Sequence, residues 1–192
     1  MKKIIGQGAE AIIYHSGNTV LKDRIKKNYR IKQIDDKLRK NRTKAEARLL
    51  ERVRRAGLKA PKVLEIKENQ LVIEYIDGEK FRDYLLKSKD YKIMKQLGKL
   101  VLKLHKANVI HGDLTTSNII KQNEHLYFID FGLSQFSEKI EDKAVDLHLF
   151  KECLKSKHYD ICDKSWKAFL EGYKDKNVLN RLKIVESRGR YK

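Results

Sequence analysis

The chain is poor in the residues that punctuate or staple a fold. Pro61 is its only proline, and Cys153 and Cys162 are its only cysteines in 192 residues. Neither cysteine belongs to a CxxC pair or lies near a ligand array. That excludes a zinc ribbon, argues against a disulfide scaffold and points to a reducing cytosol. No apolar run approaches the ~18 residues that a membrane helix needs. The start, Met1-Lys2-Lys3-Ile4-Ile5-Gly6, lacks the apolar stretch of a signal peptide. A cytoplasmic protein with no membrane partner is therefore expected. Acidic residues are also scarce: 26 Asp and Glu face 44 Lys and Arg, a formal charge of +18. Low-complexity linkers and internal repeats are absent as well.

What is present is a hydrophobic fraction of 41%, enough to bury a core. Long apolar-periodic runs persist despite 36% charged residues, so the chain is not disordered. The basic excess is uneven. Residues 1–60 carry 18 Lys and Arg against 6 Asp and Glu. Such a field favours nucleic acid, acidic proteins or nucleotides. Heat adaptation is the competing explanation, but it would enrich both signs of charge.

Short β-rich runs open the chain: Lys3-Ile4-Ile5, Ala11-Ile12-Ile13-Tyr14 and Thr19-Val20-Leu21-Lys22, separated by Gly, Asn and Ser. They predict an antiparallel meander. Residues 35–56 predict a long helix with Leu38, Ala45, Leu49, Val53 and Ala56 on its apolar side, ended by Gly57. Val63–Ile66 and Leu71–Ile76 predict a hairpin around Glu68-Asn69-Gln70. Asp77-Gly78 then breaks the pattern. Beyond it, helices are expected over residues 81–86, 91–107, 142–155 and 163–173, with strands at Ile119-Ile120 and Leu126–Ile129. A basic tail from Glu186 to Lys192 is expected to be loosely held. The fold class is thus α+β, with a lobe at 1–77, a mainly helical lobe at 78–185 and the tail at 186–192.

The strongest chemical signal is His111-Gly112-Asp113-Leu114-Thr115-Thr116-Ser117-Asn118, followed by Ile129-Asp130-Phe131-Gly132. An Asp, an Asn five positions on and an Asp-Phe-Gly after the next hairpin match a phosphoryl-transfer layout. Asp113 would accept the proton of the attacking hydroxyl. Asn118 and Asp130 would hold Mg²⁺, whose remaining ligands come from phosphates and water. The competing explanation makes Asp113 and Asn118 turn caps. Gly6-Gln7-Gly8-Ala9-Glu10-Ala11 offers a turn whose backbone can approach phosphates. It lacks the third glycine of G-x-G-x-x-G and is weak evidence alone. Lys22, borne on the next strand run, would hold the α/β-phosphates. Its carboxylate partner should come from the following helix, where Glu46 shares a face with Leu49, Leu50 and Val53; Glu51 is one position off. Glu46 in a surface pair with Arg42 or Lys44 is the bland alternative.

Further along, the Glu74 carbonyl and the Ile76 amide would meet adenine, with Ile120 as an apolar floor beneath the base. Asp146 lies in a nearly all-apolar stretch and needs donors if buried. The expected donors are backbone N–H groups around His111-Gly112. His111 itself is expected to organise the loop. The other histidines carry no assignment, and Trp166, Phe169 and Tyr173 read as helix core.

These motifs resemble the eukaryotic-like protein kinases over about residues 1–155. The chain is most similar to a small atypical branch, the protein kinase subunits of the KEOPS (EKC) complex. Tyr29-Arg30, Arg42-Thr43-Lys44-Ala45-Glu46-Ala47-Arg48, Asp130-Phe131-Gly132-Leu133-Ser134, Glu141-Asp142-Lys143-Ala144-Val145-Asp146-Leu147 and Arg188-Gly189-Arg190 carry the match besides the motifs above. The resemblance implies a bilobal kinase-like fold with a small antiparallel-sheet N-lobe, a long helix and a minimal helical C-lobe. It implies ATP and Mg²⁺ as cofactors, and an ATPase and autophosphorylating Ser/Thr kinase supporting threonylcarbamoyl modification of the tRNA adenosine beside the anticodon. The implied partners are the transfer subunit, docked through the C-lobe and tail, and other KEOPS subunits. tRNA would meet the basic helix at 37–55 and the tail at 188–192.

Departures from ordinary kinases are marked. Only Leu133–Ile140 separate Asp130-Phe131-Gly132 from Glu141, Ala-Pro-Glu is missing, and Thr115 stands where a γ-phosphate lysine is usual. His-Gly-Asp also lacks the arginine of His-Arg-Asp. A peptide platform and activation-loop control are therefore doubtful. The alternatives are a RIO-like ribosome-assembly kinase, a small-molecule phosphotransferase, or a tRNA-binding module that uses ATP only as a conformational ligand.

Overall fold

The computed structural model describes residues 2–188. Its first third is a sheet and one long helix. Strands β1 (Lys3–Gln7), β2 (Ala11–Ser16) and β3 (Thr19–Arg24) form the expected meander. Helix α1 (Lys32–Arg55) follows, then β4 (Val63–Lys67) and β5 (Gln70–Glu74). The sheet is antiparallel in the order β1-β2-β3-β5-β4. The β4–β5 turn is Glu68-Asn69, tighter than expected, with Glu68 at φ +41°.

Helix α1 starts three residues earlier than its periodicity suggests, and its buried side is different. Leu49 and Val53 are buried as expected, but Leu38 and Ala45 are exposed and Ala56 is half-buried. The inner face of the first half is built from Asp35 and Thr43 instead. Asp35 is fully buried because Arg39 (2.7 Å), Arg30 (3.5 Å) and the Lys27 amide satisfy it. Burial opposes its charge, yet these donors hold its carboxyl below the usual range. Hydropathy could not reveal a seam that begins with a charged residue. Gly57 ends the helix region at φ +71°, in the left-handed conformation that suits glycine.

The remainder is mainly helical: β6 (Glu79–Lys80), α2 (Phe81–Ser88), α3 (Tyr91–Lys106), β7 (Val109–Ile110), β8 (Ile119–Gln122), β9 (His125–Phe128), β10 (Gln135–Phe136), α4 (Ile140–Lys157), α5 (Cys162–Gly172) and α6 (Lys176–Arg188). Two short ribbons, β6-β8-β9 and β7-β10, brace the loops between the helices. Asp90 caps α3 by accepting from the Lys92 and Ile93 amides. One continuous core runs from Leu50 and Val53 of α1 through Phe81, Met94, Leu97, Val101 and Leu104 to Phe150 and Phe169. Helices α3 and α5 touch backbone to backbone. A Cβ on Gly98 would lie 2.1 Å from the Phe169 carbonyl oxygen, and one on Gly172 would lie 2.0 Å from that of Lys95.

Helix α6 has no counterpart in the sequence-based expectation. It buries Val178 and Leu182 on α4, and Asp175 caps its start. The segment Glu186–Arg188 is therefore not a loose tail. Lys151 donates to Glu186 at 2.8 Å, and Arg181 and Arg188 both bond Glu141. Residues 189–192 of the expected basic tail lie outside the described residues.

Candidate active site

A cleft of about 400 Å³ opens between the sheet and the helical half. Its lining is largely apolar, with Ile5, Ile13, Val20, Ile73, Ile76, Ile120 and Ile129, and it includes the polar side chains of Lys22, Glu46, Asn118 and Asp130. Alternation along β2 and β3 turns Ile13, Val20 and Lys22 to this side. The approach is close at Gly78, where a Cβ would sit 2.5 Å from the Lys121 carbonyl oxygen.

Lys22, Glu46 and Asp130 form a four-charge cluster with Arg24, which does not line the cleft. Lys22 Nζ donates to Glu46 Oε1 at 2.8 Å and to Asp130 Oδ1 at 2.6 Å. Arg24 Nη2 donates to Glu46 Oε2 at 2.5 Å. Lys22, Arg24 and Glu46 are all buried. Burial opposes the Lys22 charge, but the Glu46 and Asp130 carboxylates outweigh it and raise its pKa. Burial likewise opposes the Asp130 charge, and Lys22 outweighs it, holding that carboxyl below its usual range. Asp130 sits at φ +60°, rare for a residue with a Cβ. Its own side chain offsets that cost by accepting from the Gly132 amide at 3.2 Å.

The loop below is held from beneath. Asn118 Nδ2 donates to the Asp113 carbonyl (2.9 Å) and carboxylate (2.8 Å), which keeps Asn118 Oδ1 as an acceptor for a cation. Asp146, fully buried on α4, accepts from the His111 and Gly112 amides, each at 2.9 Å, as expected. It also accepts from His105 Nε2 at 3.1 Å, and His105 Nδ1 bonds the Tyr173 hydroxyl at 2.8 Å. Burial opposes the Asp146 charge, but these donors keep its carboxyl below its usual range. Burial pushes the Tyr173 hydroxyl well above its ordinary pKa and the His111 imidazole below its own. His111 donates from Nε2 to the Ile129 carbonyl at 3.2 Å and packs on Phe131. It is an organiser of the loop.

Gly112 explains one departure. At φ +76°, a Cβ there would lie 2.3 Å from the Leu133 carbonyl oxygen, so the arginine of His-Arg-Asp has no room. The segment after Gly132 is bound back at once. Ser134 Oγ donates to the His111 carbonyl, β10 pairs with β7, and α4 begins at Ile140.

A RIO-domain family model matches residues 13–153. The KEOPS complex subunit Bud32 of Pyrococcus abyssi is 40% identical, with 99% of this chain and 96% of the relative covered. The chain belongs to the Bud32 family of RIO-domain proteins. A probable serine/threonine-protein kinase Bud32 homologue of Archaeoglobus fulgidus is 42% identical over 100% of the chain and 96% of its own length. A probable bifunctional tRNA threonylcarbamoyladenosine biosynthesis protein of Methanocaldococcus jannaschii is 42% identical over 98% of the chain. The chain spans only 37% of that longer relative. Among solved structures, the Rio2 kinase–ADP/Mg²⁺–phosphoaspartate complex of Chaetomium thermophilum superposes over 99% of the chain and 71% of its own, with a TM-score of 0.64 at 16% identity. The fold is therefore α+β and kinase-like, as the motifs implied.

Within this Bud32 fold, Lys22, Glu46, Asn118, Asp130, Gly6, Glu74, Ile76 and Ile120 share one cleft. Asp113 reaches it through Asn118. The rest of the glycine-rich turn does not line the wall. In that stretch Glu10 pairs with Arg42, Lys27 bonds the Ala9 carbonyl and the Gly8 amide bonds that of Ala11, while Gln7, Gly8, Ala9, Glu10 and Ala11 are not among the lining residues. Arg42 is thereby drawn away from Glu46. The Glu74 side chain faces Lys62 and Arg54, outside the base position. The buried Ile76 amide makes no hydrogen bond among the described residues, which suits a donor reserved for a ligand. No group of three or more His, Cys, Asp or Glu among the described residues is placed to hold a metal. Asn118 and Asp130 fit a magnesium ion completed by phosphate and water.

Three participants escaped the sequence: Arg24, His105 and the apolar wall of Ile5, Ile13, Val20, Ile73 and Ile129. Only the wall had a legible signal, in the strand alternation. Among the described residues, no helix is long and apolar enough to cross a membrane.

Proposed function

We propose that this Bud32-family chain is an ATP- and Mg²⁺-dependent phosphotransferase and ATPase, working in a cytoplasmic KEOPS-type complex that modifies tRNA with threonylcarbamoyl. The observation that carries it is the charge cluster of Lys22, Glu46, Asp130 and Arg24 at a largely apolar cleft that also holds Asn118, itself bonded to Asp113. Adenine would lie among the isoleucines with the Ile76 amide as donor. Lys22, presented by Glu46, would meet the phosphates. Asn118 and Asp130 would hold Mg²⁺, which supplies charge neutralisation at the phosphates. Asp113 would accept the proton of the attacking hydroxyl or water, and Asp77-Gly78 would be the hinge between lobes.

The short, tied-down segment between Gly132 and α4 leaves little surface for a peptide, which favours water or a nearby hydroxyl as acceptor. For a transfer-subunit partner, α4 and α6 offer exposed Val145, Leu149 and Ile184. Lys22→Ala and Asp113→Ala should each abolish phosphate release from ATP while the protein still melts cooperatively. Undiminished turnover in both variants refutes the assignment. Turnover with and without tRNA and the transfer subunit tests the setting.

A tRNA contact has its own support. Lys37, Lys40, Lys44 and Arg48 recur three and four residues apart along α1, hence on one face. All four are exposed, and they form no ion pair among the described residues. Arg42, Arg54 and Arg55 of the same helix are instead committed to Glu10, Glu74 and Glu51.

A further inference from the structure

Glu46 is served by two cations, and the kinase pattern calls for one. Lys22 and Arg24 alternate with Asp23 along β3, so both turn inward while Asp23 faces out to Asn69 and Gln70. Each takes one oxygen of the same buried carboxylate. Arg24 is nearly fully buried and lies in register with Ala11, the last residue of the glycine-rich turn. Its Nη2 is 3.8 Å from where a Cβ on Gly132 would stand, so the guanidinium borders the Asp130-Phe131-Gly132 turn. Arg24 does not line the cleft, whereas Lys22, Glu46 and Asp130 do.

We propose that Arg24 is a positioning residue for nucleotide phosphates: it holds one oxygen of Glu46 so that Lys22 is free to leave its carboxylates for the ligand. The proposal rests on the phosphotransfer reading above. A buried carboxylate stripped of its only cation is costly. If Lys22 were the sole partner of Glu46, every move of Lys22 toward phosphate would incur that cost. Arg24 removes it, because its planar guanidinium already holds one oxygen of Glu46 in a fixed geometry. With Glu46 already half-satisfied, Lys22 divides itself between Glu46 and Asp130, and a cation bound at Asp130 would release the second contact. Arg24 also keeps a positive charge behind the phosphate end without occupying the cleft.

The test compares ATP with adenosine, which lacks phosphates, using calorimetry on the full chain with Mg²⁺. The wild type should prefer ATP. R24M should lower the ATP-to-adenosine affinity ratio about tenfold or more while adenosine affinity stays unchanged, since it removes a charge bordering the Asp130-Phe131-Gly132 turn and the second partner of Glu46, and one such charge at a partly screened site is worth at least that much. R24K, which keeps the charge but not the fork, should give an intermediate ratio. A cooperatively melting R24M with the wild-type ratio overturns the proposal. So does a parallel loss of both ligands, which marks a merely structural role. If R24M does not melt cooperatively, R24K decides: a lowered ratio supports the proposal and an unchanged one refutes it. A wild type with no preference for ATP over adenosine fails at the earlier step, the nucleotide site, and takes this proposal with it.

Discussion

Replacing Asp146 by alanine should be among the most damaging single changes outside the cleft. The carboxylate is fully buried and accepts from three donors: the His111 and Gly112 amides and His105 Nε2. Alanine leaves all three donors buried with no acceptor from residue 146. An unsatisfied buried polar group costs roughly 1–3 kcal/mol. His105 keeps its Tyr173 bond, so its share falls at the low end. The two backbone amides carry the rest, giving a loss of about 4 kcal/mol. At ~2–4 °C per kcal/mol for a domain of this size, the melting temperature should fall by roughly 8–16 °C.

Calorimetry or urea unfolding measures it, with exposed Asp160→Ala as the control, expected within about 0.5 kcal/mol of wild type. The pH dependence adds a second check. The folded-state pKa of Asp146 lies below its unfolded value. Its stabilisation is thus complete above the unfolded value near 4 and is lost as pH falls through the folded one. The gap between wild type and Asp146→Ala should narrow below about pH 4. A loss under about 1 kcal/mol at pH 7, or a gap that widens in acid, refutes the account of this loop.

Three further outcomes follow from the same structure. Gly98→Ala and Gly172→Ala each force a Cβ to within about 2 Å of a backbone oxygen where α3 meets α5, so each should cost several kcal/mol by urea unfolding, at or above the usual ~1–3 kcal/mol of overpacking; a neutral effect means the helices separate cheaply. Burial lowers the pKa of His111 and of His158, which bonds Thr116. The unfolded chain therefore takes up protons first, and stability should decline as pH falls below about 6.5. Urea midpoints that stay flat or rise between pH 7.5 and 5.5 contradict that, and His158→Gln should shrink the decline. Lys40→Glu with Arg48→Glu should weaken tRNA binding and flatten its salt dependence by roughly one to two log units per log unit of salt; an unaltered slope excludes this face of α1.

The candidate site motifs were legible because they are local. His111-Gly112-Asp113, Asn118 and Asp130-Phe131-Gly132 stand out by residue type and spacing, and Lys22 by the strand that carries it. Glu46 was legible by elimination, since α1 offers few carboxylates and only one on the face of Leu49, Leu50 and Val53. The Asp146 contact to His111 and Gly112 followed from a carboxylate in an apolar helix, which must find donors. The same logic stopped short at Asp35, because its donors Arg30, Arg39 and the Lys27 amide come from a coil and a helical turn that hydropathy does not join.

By itself, then, the sequence determined the α+β class, most strand and helix positions, the main polar residues that meet at the cleft and the basic face. Each of these depends on neighbours a few positions apart. Tertiary structure alone decided that Arg24 shares Glu46 with Lys22, that His105 joins Tyr173 to Asp146, that α6 docks on α4, and that glycine is needed at 98, 112 and 172. Each of those depends on a contact between distant segments, set by how closely two backbones approach and by which buried charge must find a partner. No spacing along the chain records either quantity.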